Sequence, residues 1–207
     1  MSRELLVLDP KKVALVLIDL QDGITKKSLA PRSGAEVVAR AGRIATRFRE
    51  LGEVVVLVRV EFAPDGGDSL RVPTDETQQI EARQPEWSSL APELGPYPGD
   101  IVLTKRQWGA FYGTELDLQL RRRSINTLVL GGIATNFGVE STARAAYEHG
   151  YAQVLVEDAM SAFSEEAHTF AIRTIFPRLG KVRSTDQVLG ALSSPEFQWS
   201  RKGIHSS

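Results

Sequence analysis

Five short, uninterrupted apolar runs constrain this chain more than any other feature. They occupy residues 13–18 (VALVLI), 54–58 (VVVLV), 101–104 (IVLT), 127–130 (TLVL) and 154–156 (VLV). A strand with one face in water alternates apolar and polar residues, whereas a strand covered on both faces by helices is apolar throughout. Residues 181–184 read as a sixth, weaker strand. Helical patterns lie between the runs. Val37, Ala41, Ile44, Phe48 and Leu51 recur at steps of 4, 3, 4 and 3, one helical face that Gly52 ends. Thr114, with Asp117 three residues on, reads as a weak capping box for a second helix, whose far end suits Arg121, Arg122 and Arg123. A third helix is expected over 137–149, with Val139, Ala143, Ala146 and Tyr147 inward. A fourth starts near Ser164, with Ala167, Phe170, Ala171 and Thr174 on one face. Strands alternating with helices predict a three-layer α/β/α fold, Rossmann-like, around a mostly parallel six-stranded sheet with right-handed crossovers.

One stretch breaks the alternation. Residues 64–99 hold six of the ten prolines and only scattered apolar side chains. An irregular segment of that length is a lid, an interface arm or a disordered loop, and Trp87 in its middle favours docking. The 207 residues otherwise read as a single domain. Lys and Arg number 25 against 26 Asp and Glu, a balance that argues against a nucleic-acid partner. There is no cysteine, which excludes disulfides, thiolate metal sites, Fe–S clusters and a cysteine nucleophile. His149, His168 and His205 lack ligand spacing, so no metal is expected. The longest apolar run is far shorter than the roughly 20 residues a bilayer needs, and Met1-Ser2-Arg3-Glu4 does not open a signal peptide. A cytoplasmic protein with no membrane partner is expected. P-loop, G-x-G-x-x-G and G-x-S-x-G patterns are absent, so neither a nucleotide cofactor nor a serine hydrolase is signalled.

In open α/β sheets ligands bind beyond the carboxyl ends of the strands. Asp19 and then Gln21 follow the first strand, and Arg59 follows the second. Lys105 follows the third, with Trp108 and Phe111 beyond it. The fourth runs into Gly131-Gly132-Ile133-Ala134-Thr135-Asn136-Phe137-Gly138, a glycine-rich helix entry. An acid, an amine and a helix entry at one sheet edge make a candidate small-molecule site. Gln21, Arg59, Trp108, Phe111, Ala134 and Asn136 are its candidate substrate contacts. Each residue also has a structural reading: Asp19 capping a turn, Lys105 as surface charge, Arg59 pairing with Glu61 or Asp19, Trp108 and Phe111 as packing. An aspartate directly after six apolar residues is costly unless used.

Three blocks sharpen the pattern: VLIDLQDGI at 16–24, LTKRQWGAFYGTEL at 103–116 and GGIATNFGVESTARAAYEHGY at 131–151. Through them the chain resembles the isochorismatase-like hydrolases, over about residues 13–188. The resemblance implies a parallel sheet between helices, catalytic roles for Asp19 and Lys105, and a catalytic cysteine at the position that Gly138 occupies here. It further implies a cis peptide at Ile133–Ala134, amides of Ala134 and Gly138 turned toward a substrate oxygen, and a homo-oligomer.

Amidase members of that family attack with a thiolate activated by the aspartate. Nicotinamidase-like members add an aspartate–histidine metal site. This chain has no thiol and no histidine in the matching region. True isochorismatases resemble it in lacking the cysteine; they cleave a vinyl ether to pyruvate and a dihydroxy-diene acid. That reaction needs a general acid to protonate the vinyl carbon, after which water adds to an oxocarbenium. The leading expectation is therefore a metal-independent, cofactor-free hydrolase of a small carboxylate-bearing molecule, with Asp19 as the acid. Burial raises a carboxyl pKa and a neighbouring Lys105 lowers it, so the role requires burial to dominate or a substrate carboxylate to engage Lys105. Two alternatives stay open: an Asp19-activated water attacking an amide or ester, and a non-catalytic family member that binds a metabolite.

Overall fold

Each apolar run becomes a strand of one sheet. The computed structural model describes residues 6–76 and 84–193. The strands are β1 (Val13–Ile18), β2 (Val54–Val60), β3 (Ile101–Lys105), β4 (Thr127–Ile133), β5 (Ala152–Ser161) and β6 (Lys181–Arg183). Their order is β3-β2-β1-β4-β5-β6. All neighbouring pairs are parallel, so the sheet is wholly rather than mostly parallel. β5 is much longer than its apolar core suggests. Its polar half is satisfied locally: the Glu157 carbonyl accepts from Arg32, and the Asp158 carboxylate accepts from the Thr185 amide and hydroxyl.

Pleating divides the apolar side chains between two cores. Val13, Leu15 and Leu17 face α2 (Gly34–Glu50) and α7 (Thr185–Leu192), meeting Val37, Ala41, Ile44, Phe48 and Val188. Ala14, Val16 and Ile18 face α3 (Leu116–Arg122), α4 (Glu140–Glu148) and α6 (Phe176–Leu179), meeting Leu116, Leu120, Ala143, Ala146 and Phe176. Helix α2 starts with a full capping box from Ser33 and Glu36 and stops at Gly52, whose φ of 66° suits glycine. The box expected at Thr114 does not form. Helix α3 begins two residues later, and the Thr114 hydroxyl instead accepts from the Leu116 amide while donating to the Ala110 carbonyl. Ser164 does cap α5 (Glu165–Phe170), accepting from the Ala167 amide.

Two single π-helical turns are present: Thr135–Val139 opens the third helix and Ala171–Ile175 interrupts the fourth. Each π turn holds an extra residue. Phe170, the residue before the second π turn, is exposed while His168 and Ala171 are buried, and Tyr147 at the edge of the α4 stripe also points outward although Val139, Ala143 and Ala146 face inward as expected. These are corrections to the expected inward faces.

The segment joining β2 to β3 turns back onto the sheet edge. Within α1 (Asp22–Thr25), the Gly23 backbone lies directly under the Trp87 ring. The Asp22 amide donates to the Ser89 carbonyl, and the Ala91 amide donates to the Leu20 carbonyl. Leu94 is buried, and Arg49 of α2 pairs with Asp100 at 2.8 Å. Among the described residues, no helix is long and apolar enough to cross a membrane.

Candidate active site

Strand order reverses between β1 and β4, and the crevice of such a sheet opens beyond the carboxyl ends of those strands. Asp19 is the first residue past β1. Its amide donates to the Val58 carbonyl at 2.8 Å. Its φ of 54° lies in the left-handed region, which aspartate tolerates better than most residues. Lys105 closes β3, two strands away and therefore roughly 9.6 Å across the sheet. Its long side chain spans that gap: Nζ donates to Asp19 Oδ2 at 2.7 Å and to the Gln107 carbonyl at 3.0 Å. Both side chains are buried. The other carboxylate oxygen, Asp19 Oδ1, is buried without a hydrogen-bond partner. Burial pushes the Asp19 carboxyl up to about 6, against the opposing charge and hydrogen bond of Lys105.

Gly138 borders this carboxylate. A Cβ placed there would lie 3.2 Å from Asp19 Oδ2, 3.1 Å from Ile18 Cγ2 and 3.4 Å from the Trp108 carbonyl oxygen. Glycine therefore leaves open the space beside Asp19 that any side chain would enter. The Gly138 carbonyl accepts from the Thr142 hydroxyl, which in turn accepts from the Ala110 amide, so the loop after β3 is tied to the turn after β4. The Ile133–Ala134 peptide bond is cis, and the Ala134 carbonyl accepts from the amides of Phe137 and Val139. Asn136 sits in the same π turn, its Oδ1 buried and unpartnered. Trp108 is half exposed, its ring 4.9 Å from that of Phe137.

Three candidate contacts lie elsewhere. Gln21 is fully buried, and its amide is spent on backbone: Nε2 donates to the carbonyls of Val60 and Trp87, and Oε1 accepts from the Val60 amide. It fastens the returning segment to the sheet rather than facing the crevice. Arg59 shares its strand face with Val55 and Leu57, opposite the face of Leu103 and Lys105. It bonds Thr104 Oγ1 at 3.1 Å and pairs with Glu61 at 3.1 Å. Phe111 is buried against His149, with ring centroids 5.0 Å apart. His149 lies at the far end of the helix that Gly138 begins, roughly 16 Å away at 1.5 Å per residue.

Other residues of this edge escaped the sequence reading. Thr135 Oγ1 and His168 Nδ1 are 2.8 Å apart and buried. His168 carries no ligand spacing because its partner is a hydroxyl 33 residues away. Burial, helped by the Arg32 charge, lowers its pKa to about 4, so the ring is neutral at physiological pH. Phe137 was legible only as the neighbour of Gly138. Among the described residues, no three His, Asp or Glu side chains are grouped to hold a metal ion. The donor set therefore does not fit the aspartate–histidine metal site of nicotinamidase-like proteins.

Comparison with known proteins bears on the family and the fold. The isochorismatase domain matches residues 13–187. The uncharacterized isochorismatase family protein YecD of Escherichia coli O157:H7 is 48% identical over 188 residues, spanning 91% of this chain and 100% of YecD. An isochorismatase family protein structure from Burkholderia thailandensis superposes with a TM-score of 0.89 at 49% identity, covering 92% of this chain and 100% of that one. N-carbamoylsarcosine amidase from Thermoplasma acidophilum gives a TM-score of 0.69 at 29% identity, over 84% of this chain and 97% of the amidase.

Proposed function

The chain belongs to the isochorismatase family, and from that membership we propose a metal-independent hydrolase that uses no covalent nucleophile. In this reading Asp19 donates a proton to the vinyl ether of a small carboxylate-bearing molecule. One observation carries it: Asp19 has one oxygen held by Lys105 and the other buried, unpartnered and beside the space that Gly138 leaves open. A carboxyl near pKa 6 keeps roughly a tenth of its molecules protonated at pH 7, enough for a general acid. The proton goes from Asp19 to the terminal vinyl carbon, and positive charge develops at the ether carbon as an oxocarbenium. Water adds there and returns a proton to the Asp19 carboxylate. The hemiketal then breaks its bond to the leaving oxygen, giving a ketone and an alcohol with one water consumed. Lys105 holds Asp19 in place and offers a charge to a substrate carboxylate.

The Lys105 contact also favours a second reading. An ammonium 2.7 Å from Asp19 stabilises the carboxylate, which as a base activates water against an amide or ester, and a 29% identical neighbour is an amidase. The pH dependence separates the two. We expect pyruvate release from isochorismate to fall about tenfold per pH unit above pH 6, and Asp19→Asn to abolish it. A folded wild-type protein that releases no pyruvate overturns the vinyl-ether reading. Amide or ester cleavage that rises through pH 6 supports the base reading, and binding without turnover of either substrate class supports a non-catalytic role.

A further inference from the structure

Three aromatic side chains that follow three strands make successive ring contacts, a row, at the sheet edge that carries Asp19. Trp108 follows β3, Phe137 follows β4 and Phe163 follows β5. Ring centroids are 4.9 Å apart from Trp108 to Phe137 and 6.3 Å apart from Phe137 to Phe163. The row begins at the reacting end, because Phe137 adjoins Gly138 and the Trp108 carbonyl lies 3.4 Å from where a Gly138 Cβ would stand. It ends at a cation: Lys27 Nζ is 5.7 Å from the Phe163 centroid. Trp108 is 54% exposed and Phe163 49%. Lys26 is held by Asp22 at 2.7 Å, whereas Lys27 pairs with no carboxylate among the described residues.

We propose that this row selects the substrate of the Asp19 site, taking an elongated flat ligand longer than one six-membered ring, with an anionic far end that meets Lys27. The proposal rests on the Asp19 reading only for which end of the ligand reacts. Trp108 touches Phe137 and Phe137 touches Phe163, with no ring contact between Trp108 and Phe163, so a one-ring ligand on Trp108 leaves Phe163 uncovered. The rings are inclined at 60° and 46° to their neighbours, so an unsaturated ligand stacks on one face and meets the next ring edge-to-face, contacts a saturated ring does not make. An ammonium already drawn to a ring face gains a stronger partner when a carboxylate arrives beside it.

Isothermal titration calorimetry with benzoate, naphthoate, biphenylcarboxylate and neutral biphenylcarboxamide tests this, with light scattering to follow molar mass. Wild-type affinity is expected to rise about tenfold from benzoate to biphenylcarboxylate, and Phe163→Ala to erase that gain. Lys27→Ala should weaken biphenylcarboxylate several-fold and leave the carboxamide unchanged. Equal affinity across the series overturns the proposal. So does a Phe163→Ala variant that changes molar mass with affinities unmoved, which would make the row an interface between copies of the chain. Wild-type turnover keeps the two readings apart: ring-dependent binding without turnover sinks the Asp19 chemistry and leaves the row, while turnover without ring dependence does the reverse.

Discussion

Asp19 and His168 are buried ionisable groups whose pKa values move in opposite senses, to about 6 and about 4 from 3.8 and 6.5. A raised carboxyl pKa means that the folded state holds its proton more tightly than the unfolded chain. Asp19 therefore adds stability in acid, and that contribution fades as pH climbs from about 4 to about 6. A lowered histidine pKa means that the unfolded chain takes the proton first. The His168 contribution is complete above about pH 6.5 and lost as pH falls toward 4. Each shift is worth on the order of 3 kcal/mol, and the slopes oppose one another across the same window. The wild type should accordingly show a shallow stability profile between about pH 4 and 6. His168→Gln should lose stability as pH rises through that window, and Asp19→Asn should lose it as pH falls. Urea melts across the window check this, and three parallel profiles would refute it. Both members of the Asp19–Lys105 pair were legible because a charge ending an apolar run is costly to bury without a use. Arg59 takes its structural reading, the pair with Glu61, for a related reason. β2 runs two residues past its apolar core, and the pleat then sends Arg59 to the face away from Lys105.

At the scale of elements, uninterrupted apolar runs identified five of the six strands, since burial on both faces leaves no room for alternation, and only the short edge strand β6, Lys-Val-Arg, lacks that signature. The helix faces were less legible. Val139, Ala143 and Ala146 face inward as their spacing predicts, whereas Tyr147 and Phe170 lie at the edges of their stripes and turn outward, and an aromatic residue at a stripe's edge has the same spacing whichever way it turns. The close approach of β4 to β1 has a clearer signature in Gly132. Its φ is 129°, and a Cβ there would stand 2.2 Å from the Ile18 carbonyl oxygen and 2.6 Å from the Ile18 nitrogen. These are backbone atoms inside paired strands, so neither side can give way. Gly132→Ala is expected to cost about 4 kcal/mol or more and to separate the strand ends that carry Asp19 and the cis peptide. Gly138→Ala meets contacts of 3.1 to 3.4 Å at ordinary φ and should cost about 1–2 kcal/mol while crowding Asp19. Thermal melts of the two variants rank them, and a Gly132→Ala protein as stable as the wild type would contradict the account of this crossing.

Across the whole molecule, the long connection from β2 to β3 couples the sheet edge to helix α2. Its proline content announced irregular structure and Trp87 announced docking, but the dock itself, Gly23, could not be read from spacing. The connection is held at three places: the Trp87 ring over Gly23, the Gln21 amide on the Trp87 carbonyl, and the Arg49–Asp100 pair beside buried Leu94. The first two flank the residues that immediately follow Asp19, so loosening the connection should reach the crevice without touching either core. A Cβ on Gly23 would lie 2.1 Å from Trp87 Cδ1 and Nε1, and an indole side chain can rotate away where backbone cannot. Gly23→Ala should therefore expel Trp87 and cost about 2 kcal/mol, much as Trp87→Ala does, by removing the same buried contact. Because both changes break one interaction, the double variant should cost little more than either alone. Trypsin should cut faster at exposed Arg71 in all three, while the unfolding transition of the remaining core stays cooperative. Additive losses in the double variant would mean that Gly23 matters for something other than seating Trp87, and unchanged proteolysis would mean that the ring does not hold the connection in place.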